Sequence, residues 1–307
     1  MVAVNSWNGF SWSSSQSASG YSSDKRWLVT RARPFGDRGS AISSTVPQHL
    51  PPQAVTSPVM DNAPPDDAQT LTVSDGTDSA TLEPARNAWL VHLVVPEEDK
   101  PRQQRMLEAA GQALMNYGGG RLEYWIENAT LQSDQVPLAA GFTPVRDLWR
   151  LERPLPAPLS TLEPRPYTDE DQEDFLDINN RAFAWHPEQS DMTAQQLAEK
   201  MSEPWFDPEG FLLWELDGEV AGFCWVKVHH DLKPARGEIY AIAIDPDLHG
   251  QGYGAQLTLA GLNWMTEQGL KHSMLYVESD NRPANRIYSA MGFKRELVNR
   301  SYQRIVR

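Results

Sequence analysis

The chain has 307 residues, a formal net charge of −14 at pH 7 and a single cysteine. This charge disfavours general binding to nucleic acids or anionic membranes, because both depend on clustered cations. One cysteine excludes a disulfide within the chain, and no apolar run approaches the about 20 residues that span a bilayer. The start of the sequence also lacks the features of a secretory signal, so we expect a cytoplasmic protein.

The first half of the chain contains long stretches that favour loops. The first 20 residues are rich in Ser, and residues 51–79 are rich in Pro, Asp, Thr and Ser. We expect fraying at the start and a long loop or insertion over residues 51–79. A group of prolines over residues 153–158 indicates a stiff linker. The length and this linker predict two domains, over residues 1–155 and 160–307.

The two halves repeat one pattern of elements. Helices predicted over residues 102–117 and 254–268 each follow a strand that ends at a proline, Pro96 or Pro246. In each half a Gly-Phe pair then begins 14 positions after a glutamate near the end of a strand. We interpret this as an internal repeat, although two αβ units can resemble each other by chance.

The second half alternates strands and helices. A helix is predicted over residues 169–181, with Thr168 or Asp169 as its N-cap. The Asp217-Gly218 pair predicts a hairpin between strands 211–215 and 219–229. The further elements are a strand over residues 238–244, a helix over 254–268, a strand over 272–278, a helix over 283–291 and a strand over 294–306. This order predicts an α/β fold with a mixed, twisted sheet and helices on both faces.

The most informative stretch is residues 242–256. An apolar strand runs into Asp245-Pro246, and glycines at positions 250, 252 and 254 precede the next helix. Glycines let the backbone approach a bound group, and a helix start adds a positive dipole end, which together suit a pyrophosphate. A glycine-rich loop alone can also be a simple turn. In the first half, residues 96–102 contain no glycine and three carboxylates, so we predict no binding of an anionic cofactor there.

Two motifs resemble the GCN5-related N-acetyltransferases (GNATs). The run His249-Gly250-Gln251-Gly252-Tyr253-Gly254 is similar to their phosphate loop, Arg/Gln-x-x-Gly-x-Gly/Ala, with histidine departing at the first position. Residues 281–288, before Met291-Gly292-Phe293, resemble the family's other acetyl-CoA motif. The resemblance covers about residues 165–307. Together with the repeat, it implies two tandem GNAT-like domains, of which the N-terminal one is degenerate.

Further segments resemble the mycothiol synthases, an actinobacterial GNAT family with two acetyltransferase-like halves. The segments are residues 183–189, 203–208, 225–229 and 275–281. The resemblance implies acetyl transfer from acetyl-CoA, without a metal, to the cysteinyl amine of cysteinyl-glucosaminyl-inositol, a small thiol precursor of mycothiol. Two alternatives stay open: a GNAT for another small amine or peptide N-terminus, and a non-catalytic CoA-binding regulator. The fused halves suggest a monomer.

Acetyl transfer needs a neutral amine and a protonated leaving thiol. Glu238 begins the strand that leads into the glycine loop and is the candidate base; the alternative is a solvated carboxylate at a strand end. Tyr288 is the candidate acid; the alternative is a packed aromatic residue. A backbone N–H of residues 242–244 is expected to stabilise the oxyanion.

The resemblance also implies the binding residues. Those for the cofactor are Ile242, Ala243, Ile244, His249, Gly250, Gln251, Gly252, Tyr253, Gly254, Ala255, Asn281, Arg282, Ala284, Asn285 and Arg286. Those for the substrate are Glu188, Lys227, Glu238 and Tyr276. Three histidines, His186, His229 and His230, lack the spacing of a metal site. Cys224, within an apolar run, is expected to be a small buried residue rather than a nucleophile.

Overall fold

The structure, a computed structural model, describes residues 2–3, 63–65, 67–184 and 191–307. The chain divides into two compact units. The large unit comprises residues 1–32 and 124–303, and the small unit comprises residues 33–123 and 304–307. Apart from residues 2–3, the Ser-rich start that was expected to fray lies outside the described residues. In the described part of the chain, none of the helices has the length and apolar character needed to cross a membrane.

The small unit contains an antiparallel sheet and one long helix. After the short strand β1 (Val2–Ala3) of the large unit, the next strands are β2 (Leu71–Asp75), β3 (Asp78–Pro84) and β4 (Trp89–Val94), which pair in that order. Helix α1 (Lys100–Tyr117) follows. The predicted loop over residues 51–79 was wrong from Leu71 onward. Its Leu-Thr-Val sequence has the β-branched character of a strand, and Gly76 makes the turn with a φ of 63°.

The large unit is built on a mixed sheet. Its strands run in the order β12-β6-β11-β10-β9-β8-β7, where β10 and β11 are parallel and the other described pairs are antiparallel. The elements after α1 are β5 (Gly120–Ile126), α2 (Gln135–Ala139), β6 (Thr143–Pro154), β7 (Arg165–Pro166), α3 (Gln172–Ala182), α4 (Ala194–Met201), β8 (Phe211–Leu216), β9 (Glu219–His229), β10 (Arg236–Ile244), α5 (Tyr253–Glu267), β11 (His272–Glu278), α6 (Arg282–Ala290) and β12 (Lys294–Val306).

These elements confirm the predicted α/β fold. The predicted hairpin is β8–β9, and its turn has the positive φ angles, 56° at Asp217 and 89° at Gly218, that an Asp-Gly pair favours. The strands predicted over residues 272–278 and 294–306 have those bounds in the structure. Helix α4 was not predicted, because it is only eight residues long.

Strand β6 departs from the predicted domain boundary. It comes from the first half of the sequence, yet it lies between β11 and β12 in the sheet of the large unit. It pairs with β11 from Leu148 and Glu278 to Pro154 and His272. The proline-rich stretch therefore begins only after the chain has joined this sheet. The compact units divide between Glu123 and Tyr124 instead of at residues 155–160.

The two faces of the large sheet carry different cores. The first face packs aromatic residues beneath α3 and α4, including Phe211 and Trp225, whose stacked rings are 4.2 Å apart. The second face packs aliphatic residues such as Ile239 and Leu257 against α5. Cys224 lies in this second core, fully buried, and burial raises the pKa of its thiol. This bears out its interpretation as an inert core residue.

A glycine of α5 tests the close packing of this second core. Replacing glycine by alanine inside a helix normally stabilises a protein by about 1 kcal/mol. In Gly261→Ala, however, the new Cβ would lie 2.6 Å from Sγ of Cys224 and 2.9 Å from Cδ1 of Ile239. We expect this variant to lose about 1–3 kcal/mol of unfolding free energy, measured by urea unfolding followed by circular dichroism.

The matched control is Gly111→Ala in α1. There the nearest atom would be Nη1 of Arg304 at 2.8 Å, the end of a flexible side chain that can move away. We expect this control to be as stable as the parent or slightly more stable. A stable Gly261→Ala variant would show that α5 packs less tightly on β9 and β10.

Candidate active site

One edge of β10 becomes available for backbone pairing because β10 and β11 separate. β10 pairs with β11 only at Gly237, Glu238 and Ile239, whereas it stays paired with β9 as far as Ile244. A β-bulge at Tyr240 adds to the local twist at the same point. Beyond Ile239, β10 can therefore pair with an added extended group. In this structure β1 takes that position, with Ala3 opposite Ile242 and Val2 opposite Ala243.

The glycine loop lies directly after this edge. Gly250 has a φ of 85° and Gly252 has a φ of 89°, backbone angles that residues other than glycine rarely adopt. A Cβ at either position would meet no atom within 4 Å, so the backbone conformation rather than space requires glycine. α5 begins immediately after Gly252, and its first amides lack carbonyl partners within the helix. This geometry suits an anion.

Side chains from the same region hold the loop in place. His249 donates from Nε2 to the carbonyl oxygen of Ile244 at 3.0 Å, and burial lowers the pKa of its ring. Arg181 of α3 forms two hydrogen bonds, of 3.0 and 2.6 Å, with Asp245, and this guanidinium lowers the pKa of that carboxyl group. In the structure His249 thus closes the loop, and its donation to a phosphate stays a prediction.

The equivalent helix start in the small unit has the opposite character. Asp99 is the N-cap of α1, and its carboxylate accepts from the backbone N–H of Arg102 at 3.1 Å. Arg102 also donates to Asp78 at 2.6 Å. A carboxylate therefore occupies the position at which the large unit presents glycines. This supports the prediction that the first half does not bind an anionic cofactor.

The second predicted motif forms the start of α6. Asn281 caps this helix by accepting from the N–H of Ala284 at 3.2 Å. Asn285 donates to the carbonyl oxygen of Glu278 at 3.0 Å. Both side chains thus fix the turn after β11. Arg282 and Arg286 are exposed, lie four positions apart on the helix, and form no ion pair with any described residue. They are available to bind a phosphate.

A polar cluster lies buried at the other end of β10. Glu238 is 1% exposed, and its Oε2 is 2.5 Å from Nε2 of His229. Its second oxygen, Oε1, has no hydrogen-bond partner among the described residues. A buried carboxylate oxygen without a partner is costly. Among the described residues, Oε1 is therefore an acceptor of this cluster that can take a further hydrogen bond.

Lys227 lies directly opposite Glu238 on β9 and is 5% exposed. Its Nζ is 4.5 Å from the ring centroid of Trp205 and 5.9 Å from that of Tyr240, which are cation–π distances. This burial excludes a solvated surface lysine. Val226, the next residue along β9, packs in the core of the opposite face, as period-two alternation requires.

Tyr276 completes this cluster from β11. It is 2% exposed, and its pKa is raised by burial and by the charge of Glu238, while Arg150 opposes the shift. The phenol is therefore neutral near pH 7. Sequence reasoning missed Arg150, which belongs to β6 and reaches the cluster only because that strand lies beside β11. It also missed His229, although period-two alternation places this residue on the face of Lys227.

Tyr288 lies on the opposite face from Glu238. It is fully buried in the core beneath α5 and α6, with its ring 5.7 Å from that of Phe293. Two residues of the predictions, Glu188 and His186, lie outside the described residues. Across the described ranges, no group of three or more His, Cys, Asp or Glu residues is arranged to hold a metal ion.

Comparison with known proteins identifies the family. Residues 164–293 match the acetyltransferase (GNAT) family. The mycothiol acetyltransferase of Pseudarthrobacter chlorophenolicus is 36% identical over 250 residues, which cover 76% of each chain. The chain belongs to the GNAT family, in its mycothiol acetyltransferase branch. GNAT enzymes are acyltransferases that use acetyl-CoA.

Other relatives and solved structures match this chain over different shares of their length. The mycothiol acetyltransferase of Thermobispora bispora is 40% identical over 206 residues, or 62% of this chain and 68% of that one. For the relative from Catenulispora acidiphila, the match spans 62% of its length. Among solved structures, a GNAT from Sphaerobacter thermophilus has a TM-score of 0.62 at 16% identity, covering 75% of this chain and 77% of that one. A tandem GNAT protein of the clavulanic acid pathway has a TM-score of 0.54 at 14% identity, covering 78% and 84%. These two structures support the fold alone.

The loop glycines provide a test of the cofactor site. In Gly252→Ala the φ of 89° costs about 1–2 kcal/mol for any residue with a Cβ, so the loop and its amides shift. We expect the Kd for CoA, measured by calorimetry, to rise about tenfold or more.

The matched control is Gly269→Ala, just after α5. Its φ is 78° and its Cβ would also meet open space, so the backbone strain is similar. We expect the same loss of stability with an unchanged Kd for CoA. Equal weakening of CoA binding in both variants would contradict the assignment of the loop.

Proposed function

We propose that this protein acetylates the cysteinyl amine of cysteinyl-glucosaminyl-inositol with acetyl-CoA, giving mycothiol. The observation that carries the proposal is the buried Glu238, with one oxygen available, on the strand that leads to the glycine loop. The match to relatives named mycothiol acetyltransferases supports the choice of substrate. A cytoplasmic location, a monomeric state and the absence of nucleic-acid and membrane partners stay predictions.

The cofactor would lie across the end of the sheet. Its pyrophosphate fits the amides of residues 250–254, and its outer phosphate fits Arg282 and Arg286. The amides of the pantetheine arm would pair with residues 242–244 of β10, as an added strand would. β1 pairs with that same edge, so the arm can bind there only after Val2 and Ala3 leave it.

The chemistry then follows from the two faces of the sheet. Glu238 removes a proton from the substrate ammonium, directly or through one water, and the neutral amine attacks the thioester carbonyl. A backbone N–H of β10 stabilises the oxyanion. When the intermediate collapses, Tyr288 donates a proton to the departing sulfur from the opposite face. Attack is direct, because the buried Cys224 is unsuited to carry an acyl group.

Recognition of the substrate is assigned to the buried polar cluster. Lys227 and Tyr276 offer donors to the hydroxyl groups of a sugar or inositol ring, and Trp205 provides an apolar wall beside Lys227. Glu188 was also predicted to bind the substrate, and it lies outside the described residues. A site of this polarity favours a small hydroxyl-rich amine over an apolar peptide N-terminus.

The assignment of the base predicts the behaviour of Glu238→Gln. The amide cannot accept the proton, so we expect kcat to fall about 10²-fold or more while the Kd for CoA and the circular dichroism spectrum stay unchanged. The residual rate should rise with pH toward the pKa of the substrate amine, about 8, because solvent then supplies the neutral amine. Near-normal turnover in this variant would make the base assignment wrong.

The assignment of the acid predicts that Tyr288→Phe keeps the fold and loses about 10²-fold in kcat, since only the hydroxyl group is removed. Tyr167→Phe is the control, because Tyr167 is also buried but stacks on Phe211 away from the cofactor loop. CoA release measured with a thiol reagent gives both rates. Equal rates for the two variants would mean that Tyr288 only packs.

The substrate class is tested by offering the desalted protein acetyl-CoA with cysteinyl-glucosaminyl-inositol, a polyamine or a peptide N-terminus in turn. We expect kcat/KM to be highest for the first. A preference for another amine would favour the alternative GNAT activity. CoA binding without any acetyl transfer would favour the regulatory alternative.

A further inference from the structure

The candidate base depends on one neighbouring side chain. Glu238 is 1% exposed, and among the described residues its only hydrogen-bond partner is His229. A carboxylate in such a site needs a donor, since burial otherwise favours its neutral form. The contact uses Oε2 alone. Whatever holds Oε2 therefore also decides where Oε1 points.

His229 is well placed to hold the carboxylate. It lies on β9 opposite Arg236, and its Nε2 is 2.5 Å from Oε2 of Glu238. Two heavy atoms this close must share a proton, so either the ring carries Nε2–H or Glu238 is protonated. The first arrangement suits a base, because it leaves Glu238 ionised. The other ring nitrogen, Nδ1, is 3.9 Å from Oδ1 of Asp231, whose side chain is 45% exposed.

We propose that His229 is the positioning residue of the base: its Nε2–H holds Oε2 of Glu238, so that Oε1 receives the substrate proton. This inference rests on the proposed function.

The other charges around the pair are distributed on three strands and one loop. Lys227 on β9 faces Glu238 on β10, and Tyr276 interacts with the charge of Glu238. Arg236 lies opposite His229 and forms an ion pair with Glu152 of β6 at 3.1 Å. The surrounding cations and anions are thus Lys227, Arg236, Arg150, Glu152 and Asp231.

Two replacements of His229 separate its possible roles. Gln can donate an N–H toward Oε2, whereas Leu cannot. We expect His229→Leu to lower kcat about 10²-fold, close to Glu238→Gln. We expect His229→Gln to keep kcat within about tenfold of the parent, because the donor to Oε2 is restored. The Kd for CoA should be unchanged in both.

The adjacent histidine supplies the control. His230→Gln replaces this exposed residue and should leave kcat unchanged. The proposal is wrong if His229→Leu turns over normally, or if His229→Gln is as slow as His229→Leu.

A measurement on the protein alone separates this inference from the proposed function. In ¹⁵N-histidine NMR spectra of the full chain, the His229 signals should show Nε2 protonated at pH 8, and Glu238→Gln should shift the Nε2 signal. If no amine is acetylated but these spectra are as expected, the proposed function fails while the pairing stands. If activity is present but the Nε2 signal of His229 is the same with and without Glu238→Gln, the positioning role is overturned.

Discussion

The separation of β10 from β11 is the constraint on which the site depends. A continuous sheet would satisfy both edges of β10 and leave no place for a ligand. Here the parallel pairing ends at Ile239 and Leu275, while β9 still supports β10 as far as Ile244. The edge that β11 leaves carries the backbone donors and acceptors that an amide-bearing arm needs. The pairing of β1 at this edge shows that an extended chain fits there.

The same parting bears on the proposed mechanism, in which residues from opposite faces of the sheet take part in one reaction. Glu238 lies on the aromatic face and Tyr288 lies in the aliphatic core, so a closed sheet would keep them apart. In the proposal, the thioester contacts both through the gap between the strands. With the proposed base on one side and the proposed acid on the other, direct proton exchange between them is prevented. Such an arrangement would favour removal of a proton from the amine and delivery of a proton to sulfur.

The two halves of the predicted repeat differ at the start of the corresponding helix. Both contain a strand, a proline and a long helix, elements that bury apolar surface whatever they bind. At the helix start, however, one repeat has Gly252 with a left-handed backbone and the other has the capping carboxylate of Asp99. Capping satisfies helix amides as well as an anion would. The small unit therefore stabilises its helix without a ligand.

The sequence predicted well what local chemistry determines. The Asp-Gly turn, the glycine loop and the period-two strands 272–278 and 294–306 follow from short-range rules and are present in the structure. It failed where pairing is long-range. The position of β6 between β11 and β12 follows from contacts across more than a hundred residues, and so does the placement of Arg150 beside Tyr276. No local signal in residues 143–154 specifies either.

The buried polar cluster also shows why alternation alone underestimates a site. Period-two alternation separates Lys227 from the valines beside it but does not tell whether its face is solvated. In the structure that face is covered by Trp205, and the lysine is 5% exposed. Burying Lys227, His229 and Glu238 together costs desolvation that apolar residues would avoid. Such a cost, beside an oxygen with no partner among the described residues, is more readily explained by selection for chemistry than for stability.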